Sequence, residues 1–459
     1  MTKEGKWHFI GIGGVGMSGI AKARLEMGKP VSGSDMAASV LTDRLLMLGA
    51  EIHIGGHHQS LISDDLEAVV VSSAIRQENP ELQAALAKGI PVIHRGSCLA
   101  RLMDHKKGIA VAGAHGKTTT SAMIALLLEK SGLDPAFFVG AYVGNLDTNA
   151  KWGQGEYMVA EADESDGSFL ELTPVIALVT NVEDDHLDHY GSQEKINEAF
   201  VTFINKVPSG GKAILCADDP GIRQLLPLIN HNRIVTYGVA EGAALRGANL
   251  RCQEGEMMAE VYWQERLLGT LRLQVYGDHN LLNALGALAA GLQCGLEFEA
   301  MAEILHSFRG AHRRLEYMGE EKGVKVYDDY AHHPTEIKAT LAAAAMIGAK
   351  RMLVLFQPHR YSRTRLLAKE FGGAFGQADQ LILLPIYSAG ENPIAGVDSG
   401  LIAAAVETNT GRRPAVAADF DQAAGLLQEI LEPGDLVLTL GAGNVRKLGE
   451  MVLNHLADK

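Results

Sequence analysis

The chain has little cysteine, no tract of basic residues and no long apolar run, and each shortage removes a class of function. Cys98, Cys216, Cys252 and Cys294 are scattered, and no pair has CxxC spacing. Neither a disulfide framework nor a zinc knuckle is expected, and the usage points to a reducing cytosol. No run of about 18 apolar residues occurs, so membrane insertion is not expected. The opening MTKEGKWHFI enters an apolar strand almost at once, which predicts a cytoplasmic protein without a secretory signal. The net charge is −14. Nucleic acid is not an expected partner, because its backbone demands clustered lysine and arginine. An anionic substrate must be met by local positive groups instead.

What is present is an ordinary globular composition, 47% hydrophobic over 459 residues, long enough for about three domains. Short apolar runs alternate with amphipathic stretches, the pattern of parallel α/β folds. Three such blocks occur. They are separated by a polar break, MDHKKG (103–108), and a charged one, RGAHRRLEYMGEEKG (309–323). NLLNALGALAAGLQCG (280–295) reads as a helix, and the segment around 243–275 as antiparallel strands.

Two glycine loops stand at strand-to-helix turns. In the first, GIGGVGMSGI, Gly11, Gly13 and Gly16 fit GxGxxG around Gly14. Glycines let a backbone approach a diphosphate, and the helix N-terminus offers free N–H groups. Ser34 and Asp35 follow at the distance of a ribose-binding acid. The pattern is common to tight turns, NAD(P) sites and other diphosphate sites, and does not choose among them.

The second loop, in GAHGKTTT, covers Gly113, Ala114, His115, Gly116, Lys117, Thr118 and Thr119, between the strand GIAVAG and an apolar helix. The strict GxxxxGK[ST] pattern would start with glycine at 111, where Val111 stands; the glycine is at 113. The context still suits a phosphate cradle, with Lys117 reaching the β- and γ-oxygens and the Thr118 hydroxyl ligating Mg²⁺. Further oxygen ligands are offered past two apolar strands. EADESD follows one, with Glu161 the preferred ligand and the other acids read as solvated loop charge. EDDHLDH follows the other. There His186 is either a metal ligand, which would admit Mn²⁺ beside Mg²⁺, or a surface hydrogen-bonding group. In the last third, His359, Arg360, Arg363 and Arg365 form a cationic set suited to a carboxylate or phosphate. Asp328 and Asp329 offer acceptors for ribose hydroxyls.

These motifs, with YGDHNLLNAL, DDYAHHPTE and FQPHRYSRTR, resemble in order those of the Mur ligases, over nearly the whole chain. The resemblance accounts for the shortened loop, which in that family is of the GTHGKT type, with Ala114 here in place of threonine. It implies three domains: a Rossmann-like one for a UDP-sugar (1–106), a central P-loop-type ATPase with a mostly parallel sheet (107–311), and a C-terminal Rossmann-like one for an amino acid (312–459). It assigns the first loop to the UDP-sugar, Lys117 to the γ-phosphate, Thr118 and Glu161 to one Mg²⁺, and His186 to a second metal. It places Asn280 and Asn283 at adenine and Arg314 or its neighbour Arg313 on phosphate. Asp328 or Asp329 would take the ATP ribose, and His332, Arg360 and Arg363 the incoming amino acid. The implied reaction is ATP-dependent joining of L-alanine to the carboxylate of UDP-N-acetylmuramate through an acyl phosphate, in peptidoglycan precursor synthesis. A related branch attaches a tripeptide to the same sugar. Its acidic motif is closer to EADEYD and it lacks FQPHRYSRTR, so the residues here favour alanine. An NAD(P)-dependent oxidoreductase would leave GKTTT and the acidic strand ends unexplained. A switch-type GTPase would need an NKxD-like motif, for which TNVEDD is a poor substitute.

Overall fold

Alternating apolar strands and amphipathic helices produce an α/β protein of three domains, each around its own sheet. The computed structural model describes residues 5–457 apart from 184–186, 231 and 254. By contacts the chain divides into two compact units. One comprises the chain up to Leu250 with Met258–Leu273 and Leu281–Arg309; the other comprises Arg251–Met257, Gln274–Asn280 and everything from Gly310 on.

The first unit holds two sheets. The N-terminal sheet has five parallel strands in the order Glu51–Ile54, Val31–Asp35, Lys6–Ile10, Leu66–Val71 and Val92–His94. The second sheet has ten strands. Its centre is Lys107–Ala112, with Ile176–Val179 on one side and Tyr157–Glu161 on the other, both parallel to it. These strands are apolar because both faces are covered: Ile109, Ala110, Val111 and Ala112 are all fully buried. At one end of this sheet Leu245–Gln253, Glu256–Trp263 and Arg266–Leu273 are consecutive neighbours joined by two-residue links. A parallel crossover needs far more chain than that, so they run antiparallel, as the alternating pattern predicts.

Helix Lys117–Lys130 follows the central strand and is buried from Thr118 through Leu128, the polar Thr120 and Ser121 included. Its apolar body is gripped between layers, and that fixes its N-terminus at the end of the sheet, where parallel folds place ligands. The second unit carries a six-stranded sheet, ordered Glu316–Glu321, Val324–Asp329, Asp435–Leu440, Arg351–Phe356, Gln380–Leu383 and Ala415–Val416; only the first pairing is antiparallel. Two apolar layers sandwich it, one centred on Leu341, Phe356 and Phe371, the other on Leu355, Val437 and Leu448. Among the described residues no helix is long and apolar enough to cross a membrane.

Candidate active site

The phosphate loop is built on two left-handed glycines. Gly113 has φ +131° and Gly116 φ +84°, and Gly116 caps the helix Lys117–Lys130. Neither position has room for a side chain. A Cβ on Gly113 would lie 2.2 Å from Thr180 Oγ1, and one on Gly116 would lie 2.5 Å from Asn283 Oδ1. The neighbouring strand end holds the loop in shape. The Asn181 side chain accepts from His115 N–H (2.9 Å) and donates to His115 O (2.9 Å), and Thr180 Oγ1 donates to the same carbonyl (2.6 Å). Thr180 and Asn181, just past the neighbouring strand Ile176–Val179, thus tie down this short loop. Asn283 sits behind it, accepting from Thr120 Oγ1 at 3.2 Å.

Lys117 Nζ donates to Gly113 O at 2.7 Å and to both oxygens of Glu164, at 2.7 and 3.0 Å. Burial alone would lower its pKa. The carboxylates of Glu164, Asp163 and Glu161 outweigh that and hold it above the ordinary lysine value, so the ammonium stays charged. The acids of EADESD are thus not solvated loop charge, contrary to the expectation. Glu164 is buried, and Asp163 pairs with Arg95 at 3.2 Å. Glu161 faces Thr118 as expected, with 3.2 Å between Oε2 and Thr118 Oγ1, and its other oxygen accepts from Gly140 N–H at 2.5 Å. A hydroxyl and a carboxylate oxygen side by side are the hard donors that Mg²⁺ selects, so these two residues fit that ion. His186 lies outside the described residues.

At the first loop, Gly11 has φ +75° and Gly14 caps the helix Val15–Glu26. Asp35 Oδ2 accepts from Gly13 N–H at 2.8 Å, which ties the turn to the next strand. The Ser34 side chain is turned inward. It donates to Glu81 (2.7 Å), whose fully buried carboxylate also meets His8 Nε2 (2.9 Å), His57 Nδ1 (3.3 Å) and His58 N–H (3.1 Å). This knot beneath the loop joins residues up to 73 positions apart, and no local motif announces it.

In the second unit the two adjacent arginines separate cleanly. Arg313, with φ +60°, binds Asp328 (2.8 Å), Gly441 O (2.6 Å) and Gly443 O (2.9 Å). Arg314 lies 4.0 Å from Glu336, beside the Tyr330 ring and near the partly buried His279 and the Asp329 carboxylate. Asn280 donates to Tyr276 O at 2.7 Å. Asp328 is fully buried between Arg313 and Thr439 Oγ1. Asp329 accepts from Leu315 and Ala331 N–H groups, and burial raises its pKa to about 6. Both carboxylates are engaged by the chain itself.

His332, His359, Arg360 and Arg363 do come together. His332 Nδ1 lies 3.0 Å from Tyr330 O and 3.3 Å from Glu336, an acid the motif reading did not single out. A carbonyl only accepts, so Nδ1 carries a proton, and in the neutral ring the lone pair is on Nε2. His359 touches the His332 ring edge-on and stacks on Tyr387. It is not a cation as expected. Burial, with His332, Arg363 and Arg360 alongside, lowers its pKa to about 3.

Two predictions follow from this geometry. Gly116→Ala should weaken ATP binding about tenfold or more in calorimetry, from backbone strain and the Asn283 clash together. Gly132→Ala, at the far end of the same helix with φ +77° and open space around it, should leave binding unchanged. The His359 ring proton signal should not move between pH 8 and pH 5 by NMR; a midpoint near the ordinary histidine value would contradict the burial argument.

Comparison with known proteins places the chain in a family. Family profiles match along the chain: Mur ligase family, catalytic domain, at residues 6–107; Mur ligase middle domain at 111–291; and Mur ligase, glutamate ligase domain, at 313–443. The UDP-N-acetylmuramate–L-alanine ligase of Desulforamulus reducens is 51% identical over 100% of this chain and 99% of its own. The protein of the same name from Syntrophotalea carbinolica is 47% identical over 98% of each. The crystal structure of the Thermotoga maritima UDP-N-acetylmuramate-alanine ligase MurC superposes with a TM-score of 0.83 at 27% identity, over 99% of this chain and 100% of that one. A murein peptide ligase from Psychrobacter arcticus shares the fold (TM-score 0.74) at 24% identity over 99% of both chains. With the shortened loop, its lysine among acids and matches from end to end, the chain belongs to the Mur ligase family.

Proposed function

We propose that the chain is an ATP-dependent ligase that joins L-alanine to the carboxylate of UDP-N-acetylmuramate, in peptidoglycan precursor synthesis. The observation that carries this reading is the Lys117 site: a charged lysine on a glycine loop, with a hydroxyl–carboxylate pair beside it, in a chain half identical to ligases of that name. The curated relatives at 51% and 47% identity carry the alanine-ligase name rather than that of the tripeptide-adding branch, and a nicotinamide reading leaves Lys117 without a task.

A carboxylate does not condense with an amine in water, because its oxygen is a poor leaving group. The muramoyl carboxylate attacks the γ-phosphorus of ATP, the bond to the β-bridging oxygen breaks, and an acyl phosphate and ADP result. The alanine amine then attacks the acyl carbon and phosphate departs. Lys117, fixed by Gly113 O and Glu164, offers a preorganised positive charge to the phosphoryl oxygens in flight. Thr118 and Glu161 would hold Mg²⁺, which when bound supplies further positive charge there. Arg314 takes phosphate rather than Arg313, since among the described residues backbone carbonyls hold Arg313 and not Arg314. Arg360 and Arg363 take the carboxylate of alanine, and the Nε2 lone pair of His332 takes the ammonium proton.

The test is phosphate release with ATP, UDP-N-acetylmuramate and each amino acid in turn. Release that needs both the sugar nucleotide and L-alanine is expected; release indifferent to either contradicts the reading. Lys117→Ala should cost at least about 3 kcal/mol of transition-state stabilisation, the scale of one preorganised donor, and near-normal turnover would remove it from the site. Arg363→Ala should raise the KM for alanine far more than that for ATP.

A further inference from the structure

Residues 94–96 lie between the first glycine loop and the acidic loop that follows Tyr157–Glu161. His94 Nε2 lies 3.7 Å from Asp166 Oδ2, and a Cβ on Gly96 would lie 2.3 Å from that of Ser168, so this corner is pressed against the acidic loop without a gap. Between them, Arg95 opens the helix Arg95–Met103 and points both ways. Its Nη2 donates to Asp163 Oδ2 at 3.2 Å. Its Nη1 and Cδ lie against Gly16 of the first loop, 2.9 and 3.0 Å from where a Cβ would be. Among the described residues Asp163 is its one protein acceptor, although a guanidinium has five donors in a rigid fork. The donors on the Gly16 side face the turn that would cradle a diphosphate. Asp163 is in turn one of the acids that set the charge state of Lys117.

We propose that Arg95 is a positioning residue that takes the diphosphate of the sugar nucleotide on one edge of its guanidinium and Asp163 on the other, so that a bound sugar nucleotide sets the acidic loop that holds Lys117. The inference rests on the reading of the first loop as a UDP-sugar site. It explains why Gly16 is glycine, since any side chain would displace the arginine, and why Asp163 pairs with Arg95 while Glu164 takes Lys117 Nζ.

The test compares UDP with uridine. Both are titrated calorimetrically into the wild type, Arg95→Gln and Arg95→Lys, and kcat is measured at saturating UDP-N-acetylmuramate. Arg95→Gln should bind UDP about tenfold more weakly or worse, as expected for loss of a charge-assisted pair, with uridine binding unchanged. Its kcat should fall as well, and Arg95→Lys should recover part of both. Retained uridine binding also reports a folded domain. Equal weakening of UDP and uridine would mean a merely structural arginine, and unchanged kcat at saturation would remove the link to Lys117; either overturns the proposal. A wild type that does not prefer UDP to uridine would instead overturn the reading of the first loop, and this inference with it.

Discussion

The structure turns on one buried ammonium. Lys117 is mostly withdrawn from water, is kept charged by Glu164 and the neighbouring acids, and is aimed by a backbone carbonyl of its own loop. Taking two charges out of water is costly, and such a pair adds little to stability compared with apolar residues of the same size. Its value is directional. A lysine already desolvated and already aimed needs little reorganisation when a phosphoryl group passes it. The surrounding features read as means to that end: the helix buried along its length, the two left-handed glycines, and the Thr180–Asn181 ties.

The acidic loop then acquires a division of labour. Glu161 faces Thr118 and suits a cation, Glu164 holds Lys117, and Asp163 turns to Arg95 and the neighbouring domain. Four acids in six residues would repel one another in water. Here each has a separate partner, except that Asp166 keeps a buried oxygen without a hydrogen bond while its other oxygen accepts from Ser168. The run of like charge is therefore a junction of Lys117, Arg95 and the Thr118–Glu161 oxygen pair, and its density reflects how much converges at one strand end.

Much of this was legible in the residues alone, and the reasons are local. Strand, glycine turn and helix leave a pattern within about fifteen positions, so both loops, Lys117, Thr118 and Glu161 could be located, and the fold class followed from the alternation of apolar runs. What was hidden depended on long-range packing. Glu81 closes under Ser34 and Arg95 reaches Asp163 across large sequence separations, which no spacing rule records. Arg313 and Arg314 are identical in sequence terms and differ because a positive φ turns the first inward. His359 looks cationic in a string of basic letters, yet burial, and after it His332 and the arginines alongside, hold its pKa down. Charge patterns read from sequence fail where groups crowd, because crowding decides which of them ionise.

The central claim is that the clamp at Lys117 serves attack by a sugar carboxylate rather than by water. The most direct measurement uses UDP-N-acetylmuramate carrying ¹⁸O in that carboxylate, with ATP and L-alanine, and mass analysis of the phosphate released. The account predicts that each turnover moves one labelled oxygen into phosphate, because the acyl–oxygen bond is the one broken when the amine attacks. Unlabelled phosphate from a reaction that still forms the amide would contradict it.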